Sequence, residues 1–186
     1  RTAMANGGFD AETTAVTISG RKEDTVVSED EGPGNANIEE IPTMRPAFAK
    51  NGTVTAASSS SISDGAAALL LMSASEAERR GLKPLATICG HSGFAHEPEW
   101  FTTAPIFAIR ALREKLGWSP DDVDLYEINE AFACVTMAAM ADLNLDHAKV
   151  NVNGGACALG HPIGATGARI IVTLLHALRN RGLQRG

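Results

Sequence analysis

One glycine-dense stretch constrains the fold of this chain more than any other segment. Residues 152–169 read VNGGACALGHPIGATGAR and hold five glycines around a single histidine, His161. A short β-like run precedes the glycines and a helix-like run follows them. Glycine lets a backbone turn tightly and approach a ligand closely, which bulkier residues prevent. The pattern therefore predicts a strand, a tight loop that carries His161, and then a helix.

Strand-like and helix-like segments alternate along the rest of the chain. The apolar spacing predicts helices over residues 105–116, 131–142 and 165–181, and strands over 85–89, 123–128 and 149–153. An alanine- and leucine-rich helix is also predicted directly after Asp64, which could cap its start, with Gly81 at its end. The acidic residues 28–40, interrupted by Gly32-Pro33-Gly34, predict a surface loop. Such alternation indicates an α/β fold with a mainly parallel sheet covered on its faces.

Composition and charge exclude several classes of protein. Hydrophobic residues make up 44% of the 186 residues and charged residues 20%, as in an ordinary globular protein. The net charge of −6 argues against a nucleic-acid surface. No apolar stretch is long enough to span a bilayer. The three cysteines have no C-x-x-C pair and no metal-like spacing, which predicts reduced thiols in the cytoplasm and no metal site. The chain starts at Arg1 without methionine, so we expect the natural N-terminus to lie upstream.

Two further segments accompany the histidine loop. Residues 127–133 read EINEAFA and residues 53–68 read TVTAASSSSISDGAAA. Taken in chain order with GHPIG at 160–164, these motifs resemble those of the thiolases, the acetyl-CoA acetyltransferases and 3-ketoacyl-CoA thiolases. The resemblance runs over essentially the whole chain. It implies a layered αβαβα fold, a mixed sheet covered by helices, that is incomplete in this chain.

The resemblance also implies a division of the chain. Residues 1–63 would be the tail of the thiolase loop domain and would carry a segment that binds coenzyme A. Residues 64–84 would supply the last helix and strand of the N-terminal half. Residues 85–186 would form the C-terminal half without its last strands.

Thiolases transfer an acyl group between an enzyme cysteine and coenzyme A, by reversible thiolytic cleavage or Claisen condensation of a 3-ketoacyl-CoA. The reaction needs an activated nucleophile and a stabilised enolate. By resemblance, His161 takes the proton of the nucleophile and donates a hydrogen bond to the thioester oxygen, roles that suit the near-neutral pKa of histidine in general. Asn129 would hold a water in the oxyanion hole. Taken alone, a loop histidine is more often structural, and an asparagine before a helix is ordinarily a helix cap.

Five residues are implied to bind coenzyme A or the substrate. Ser60 matches a serine that bonds to the pantetheine portion, and Ala56 matches a contact just before it. Phe48 aligns with a wall beside the adenine. Ala131 and Phe132 would line the acyl and pantetheine channel. For Phe48 and Phe132, a plain core role is a competing interpretation.

The cysteines decide what the chain can do by itself. Cys89 lies on a predicted strand. Cys134 is predicted to lie in a helix and to belong to the hydrophobic core, and Cys157 is predicted to be a buried residue that fills space. None of them matches either catalytic cysteine of a thiolase, so we expect the 186 residues alone to be inactive.

Two alternatives to a thiolase remain open. The first is a non-catalytic, thiolase-like protein that binds acyl-CoA or lipid. The second is an oxoacyl synthase, which would need a Cys-His-His set and is disfavoured by the NEAF segment. The expected partners are acyl-CoA and coenzyme A, the latter as substrate and not as cofactor, with no nucleic acid and no membrane. By analogy, we also expect a homodimer or homotetramer.

Overall fold

A computed structural model describes residues 1–186. Its seven α-helices are α1 (Thr2–Ala5), α2 (Glu31–Asn35), α3 (Ala74–Arg79), α4 (Ala104–Leu116), α5 (Ala133–Leu143), α6 (Ala156–Leu159) and α7 (Thr166–Arg181). Two strands, β1 (Val16–Ile18) and β2 (Thr25–Val27), form an antiparallel hairpin in which Val16 lies opposite Val27. Short 3-10 turns span Ile38–Thr43, Ala56–Ser58, Pro98–Thr103, Pro120–Asp122 and His147–Lys149. No helix is both long and apolar enough to cross a membrane.

The three long helices predicted from apolar spacing are confirmed as α4, α5 and α7. Pro105 lies in the first turn of α4, where its missing N–H costs no helical hydrogen bond. Helices α4 and α7 end at Gly117 and Gly182, both in the left-handed region with φ of 66° and 68°. Helix α5 ends at Asn144, which also adopts the left-handed conformation. Local signals at the helix ends therefore sufficed to place these elements.

The predicted strands are realised only in part. Residues 123–128 and 149–153 run side by side in parallel, and the amide of Tyr126 donates to the carbonyl of Lys149 at 2.8 Å. This pairing amounts to a single bridge between Tyr126 and Val150. Residues 85–89 form no strand, and residues 83–96 make no backbone–backbone hydrogen bond. A strand needs a neighbouring strand to satisfy its N–H and C=O groups, and no other strand pairs with this segment.

The predicted helix after Asp64 is wrong. Residues 65–72 have no regular structure, and α3 starts at Ala74, where the hydroxyl of Ser73 accepts the amide of Glu76 at 3.2 Å. Alanine and leucine favour a helix, but intrinsic propensity is a weak signal, and these residues are mostly exposed and make no backbone–backbone hydrogen bond. Just before this segment, Ile62 forms a parallel bridge with His161, which sets the chain direction. The predicted end of the helix at Gly81 is confirmed, since Gly81 follows α3 with φ of +65°.

The prediction of an irregular loop over residues 28–40 is also wrong. Helix α2 contains Gly32-Pro33-Gly34, and a 3-10 turn begins at Ile38. Pro33 is tolerated because it lies in the first turn, where a backbone N–H has no helical acceptor. Pro33 is buried, and its carbonyl accepts the Nε–H of Arg1 at 2.5 Å. The proline therefore ties this short helix to the N-terminus of the chain.

The core lies on both sides of residues 123–128. The first cluster joins this segment to α4 and α5 and consists of Ile106, Val123, Tyr126, Ile128, Ala139, Leu143 and Val150. The second joins it to α7 and consists of Leu125, Ala177 and Leu178. Helices thus cover the segment from two sides, as in a layered α/β fold. This buried segment leads directly to Asn129.

Candidate active site

Backbone contacts from the serine-rich segment hold the histidine loop. The loop lies between α6 and α7, and the amide of His161 donates to the carbonyl of Ser61 at 2.9 Å. Gly160 has φ of +89°, and a Cβ at this position would collide with the side chain of Ser63. The glycine therefore allows the serine segment to lie against the histidine.

Thr166 orients the imidazole of His161. The Nδ1 atom of His161 lies 2.7 Å from the hydroxyl of Thr166, and that hydroxyl donates its only proton to the carbonyl of Pro162 at 3.0 Å. With its proton on that carbonyl, the hydroxyl accepts from Nδ1–H, and the lone pair of neutral His161 lies on Nε2. Thr166 is 4% exposed, so water does not compete for this bond. Sequence reasoning missed Thr166, although its place in the first turn after the histidine loop was a usable signal.

Asn129 lies against the free nitrogen of His161. Its Nδ2 atom is 3.4 Å from His161 Nε2, at the long end for a hydrogen bond, with the amide as donor. The Oδ1 atom of Asn129 is buried and has no hydrogen-bond partner in the chain. A buried carbonyl oxygen in that state is suited to accept from a bound water or ligand. The structure thus brings the two predicted catalytic residues together.

Glu130 braces the segment that follows Asn129. Its carboxylate accepts from Asn151 Nδ2 at 2.7 Å and from the amide of Cys157 at 3.1 Å. Asn151 also exchanges two hydrogen bonds with the backbone of Ile128, at 2.8 and 2.9 Å. Gly155 packs beside Glu130, and a Cβ there would collide with the carboxylate. These bonds fix the backbone on both sides of Asn129.

The serine-rich segment also pairs with the NEAF segment. The amide and hydroxyl of Ser60 both donate to the carbonyl of Ala131, each at 3.1 Å. The Ser60 hydroxyl has therefore committed its proton, and its oxygen can only accept from a ligand. A neighbouring antiparallel bridge joins Ser59 to Phe132. Ser58 braces the preceding turn, because its hydroxyl accepts the amide of Thr55 at 2.9 Å.

The remaining predicted contact residues lie at the rim. Phe48 is 76% exposed, which excludes the competing core role, and its ring meets Phe132 edge-on with centroids 6.1 Å apart. Phe132 is half-buried and also meets Phe101 edge-on at 6.4 Å. Ala56 is exposed in the 3-10 turn Ala56–Ser58, which packs against α6. The rim therefore presents an aromatic edge beside the serine segment.

A cavity of about 360 Å³ adjoins Asn129. Its walls are mainly apolar and comprise Phe101, Pro105, Ala108, Ile109, Glu127, Ile128, Asn129, Ala131, Val135 and Ile170. Burial raises the pKa of Glu127 to about 7, against the attraction of Arg169. A carboxyl group that titrates near neutral pH therefore borders the predicted site, and sequence reasoning did not single it out.

None of the three cysteines has the environment of an activated nucleophile. Burial and the nearby Glu130 together raise the pKa of Cys157 to about 11, so this thiol is protonated at neutral pH. Cys157 is half-buried, whereas Cys89 and Cys134 are exposed. The prediction that Cys134 belongs to the core is wrong, because it lies on the outer face of α5. The structure contains no group of three or more His, Cys, Asp or Glu side chains that could hold a metal ion.

Comparison with known families decides the relationship of the chain. The family described as "Thiolase, C-terminal domain" matches residues 82–186, and "Thiolase, N-terminal domain" matches residues 1–75. The chain belongs to the thiolase family. It is 49% identical over 185 residues to a probable acetyl-CoA acetyltransferase of Dictyostelium discoideum. It is also 50% identical over 187 residues to the cytosolic acetyl-CoA acetyltransferase of Mus musculus.

Solved thiolase structures share the fold. The crystal structure of the Bacillus anthracis acetyl-CoA acetyltransferase matches 98% of this chain with a TM-score of 0.94 and 46% identity. Human mitochondrial 3-ketoacyl-CoA thiolase matches 97% with a TM-score of 0.84 and 36% identity. The predicted thiolase-like α/β fold is confirmed. Each of these two matches includes 99% of this thiolase chain but only 45% and 47% of the relatives' own lengths. The chain therefore spans about half the length of the relatives it matches.

Proposed function

We propose that this chain carries the histidine and asparagine half of an acetyl-CoA acetyltransferase site. The reaction would be transfer of an acyl group between an enzyme thiol and coenzyme A, which interconverts acetoacetyl-CoA plus CoA with two acetyl-CoA. The observation that carries the proposal is the contact of Asn129 Nδ2 with His161 Nε2 at 3.4 Å. The names of the thiolase relatives support the same reaction.

The geometry suits the proposed steps. With Nδ1–H held by Thr166, His161 would accept the proton of a nucleophilic thiol at Nε2. Once protonated, Nε2–H would donate to the thioester oxygen as negative charge develops there. The unpartnered Oδ1 of Asn129 would accept from a water that donates to the same oxygen. The Nε2–H of His161 and this water would both donate to the thioester oxygen, and the charge of Asn129 would not change.

Coenzyme A would lie along the serine segment. The oxygen of Ser60 is free to accept an amide N–H of the pantetheine arm, because its own proton is bound to Ala131. Ala56 and the exposed Phe48 would flank the nucleotide end, and Ala131 with Phe132 would line the channel to His161. We propose coenzyme A as substrate, with no separate cofactor, and the division at residues 63 and 84 as the domain boundaries.

The proposed setting of the protein follows its relatives. A cytoplasmic location is supported by the mouse relative, which is named a cytosolic acetyl-CoA acetyltransferase. Assembly as a homodimer or homotetramer is proposed by analogy with thiolases.

A binding experiment tests the proposed site directly. Coenzyme A and acetyl-CoA are added to the ¹⁵N-labelled chain, with adenosine 3′,5′-bisphosphate, which lacks the pantetheine arm, as the matched control ligand. We expect the amides of Ser60, Ala131 and Phe132 to shift with both coenzyme A ligands and not with the control. A Ser60→Ala variant should weaken the response several-fold. Unchanged signals in this segment would contradict the proposal.

Catalysis is tested in the complete reading frame that contains this chain. His161→Ala should reduce acetoacetyl-CoA thiolysis by at least about 100-fold, the range for loss of an acid–base group. The alternative of a non-catalytic acyl-CoA-binding protein predicts a different pair of results. Acetyl-CoA would bind to the unmodified protein and to the His161→Ala variant, and neither protein would show thiolysis.

A further inference from the structure

Helix α7 presents a buried polar stripe towards three other segments. Thr166, Arg169 and Thr173 lie at positions i, i+3 and i+7, which share one helix face. Thr166 holds His161, and Thr173 donates its hydroxyl to Glu12 Oε1 at 3.1 Å. Arg169 lies between the two threonines and faces the segment that carries Asn129. One helix therefore contacts His161, the segment that leads to Asn129, and the N-terminal segment.

The partner of Arg169 is Glu127, two residues before Asn129. Arg169 Nη1 lies 3.9 Å from Glu127 Oε2, and the two side chains are 20% and 3% exposed. Glu127 Oε1 is buried without a hydrogen-bond partner. A buried carboxylate is costly unless a positive charge compensates it. The contact with Arg169 supplies that charge.

Other acidic groups surround the pair. Glu130 and Glu12 both raise the pKa of Glu127, whereas Arg169 lowers it. Burial raises the pKa values of Glu12 and Asp30 as well, and Arg169 opposes both effects. Arg169 is thus the shared positive charge of a cluster that joins residues 12–30, residues 127–130 and α7. Its removal would leave the buried Glu127 and the half-buried Glu12 without this compensation.

We propose that Arg169 is a positioning residue that, through Glu127, holds Asn129 against His161. Asn151 fixes the backbone at Ile128 with two hydrogen bonds, and the charge of Arg169 attracts the adjacent Glu127 side chain without a hydrogen bond. Because Thr166 and Arg169 share the first turns of α7, the helix sets the positions of His161 and Asn129 together. The effect of Arg169 on catalysis rests on the acyl-transfer role proposed above, whereas its positioning of Asn129 against His161 does not.

The test reads Asn129 and Glu127 by NMR without any coenzyme A. At about pH 8, we expect Arg169→Met to shift the side-chain amide signal of Asn129. Glu127→Gln should shift it as well, and the double variant should shift it no further than either single change. The ¹³C carboxyl titration of Glu127, with a midpoint of about 7, should move up by about one pH unit or more in Arg169→Met.

Two variants control for charge and for fold. Arg179→Met removes the same charge from an exposed position of the same helix and should leave Asn129 and Glu127 unchanged. Arg169→Lys keeps the charge, so the Asn129 amide signal and the Glu127 titration midpoint should stay close to those of the unmodified chain. Should Arg169→Met fail to fold, Glu127→Gln and Arg169→Lys still decide the matter. The proposal is overturned if Asn129 is unaffected by Glu127→Gln, or if the two single effects add. A failed coenzyme A titration would count against the proposed function alone.

Discussion

At the scale of single residues, the bond between Thr166 and His161 decides which imidazole nitrogen is free. The hydroxyl proton of Thr166 is committed to the carbonyl of Pro162, so Nδ1 must be the donor. We predict that Thr166→Val reverses the tautomer of neutral His161, because valine accepts no hydrogen bond. A long-range ¹H–¹⁵N spectrum of the imidazole reports the tautomer directly, as an exchange of the protonated and unprotonated nitrogen signals.

Thr166→Ser is the matched control for this prediction. Serine keeps the hydroxyl and removes only a methyl group, so the tautomer should stay with the proton on Nδ1. In the complete reading frame, Thr166→Val should also lower kcat more than it raises KM, because the free nitrogen would no longer face the nucleophile. A Thr166→Val spectrum identical to that of the unmodified chain would show that another group sets the tautomer.

At the scale of elements, α7 anchors the N-terminal segment through Thr173. This threonine is 1% exposed and donates to Glu12, whose other carboxylate oxygen is buried without a partner. We predict that Thr173→Val lowers the free energy of unfolding by about 1–3 kcal/mol, the cost of leaving a buried acceptor unsatisfied. Urea unfolding measures the loss, and hydrogen exchange should show faster opening of α1 and α2.

Thr136 provides an internal comparison for the same substitution. It is 6% exposed on α5, and its hydroxyl has no hydrogen-bond partner. Thr136→Val should therefore be neutral or slightly stabilising, since it removes a buried hydroxyl that makes no bond. Equal losses in the two variants would mean that packing, and not the bond to Glu12, determines the effect at Thr173.

These elements also show what the sequence can and cannot predict. Helices α4 and α7 were predictable because the glycines that end them act locally. The pairing of His161 with Asn129 was expected only through family resemblance, since 32 residues separate them. Arg169 escaped detection because its role depends on a tertiary contact, whereas Thr166 contacts residues only four and five positions away and was missed despite that local signal. The segment after Asp64 was mispredicted because the helix preference of its alanines is only a weak signal.

At the scale of the whole molecule, three carboxyl groups make stability depend on pH. Burial raises the pKa values of Glu12, Asp30 and Glu127, the last from 4.5 to about 7. Between these two values the folded chain retains protons that the unfolded chain releases, so the free energy of unfolding falls as pH rises. For Glu127 alone the fall is roughly 3 kcal/mol. Hydrogen bonds lower the pKa values of Asp122 and Asp124, so these two groups change the free energy of unfolding only at lower pH.

Urea unfolding at about pH 5 and pH 8 tests this direction. We expect a lower midpoint at the higher pH, and we expect Glu127→Gln to remove most of the difference. Glutamine has the same shape as the carboxyl group but does not titrate. Stability that stays constant or rises between the two pH values would contradict the assignment of Glu127 as a buried, titrating group.

The accessible surface of the whole chain is much larger than its mass predicts. It measures 12930 Å², whereas a compact monomer of 19.5 kDa exposes roughly 8500 Å². Part of the excess lies on residues 65–72 and 83–96, which make no backbone–backbone hydrogen bonds. Leu70 is 82% exposed and Ile88 68% exposed within these segments. Unpaired backbone combined with exposed apolar side chains favours association with another chain.

We therefore predict that the purified 186-residue chain self-associates as its concentration rises. Size-exclusion chromatography with light scattering should give a mass above 19.5 kDa that increases with loading. Leu70→Lys and Ile88→Lys should lower the apparent mass, because a lysine charge resists burial between chains. Val26→Lys is the matched control, since Val26 is 61% exposed on a hairpin strand that already has its partner. A monodisperse monomer that melts cooperatively would show that the exposed segments are stable in water without a covering surface.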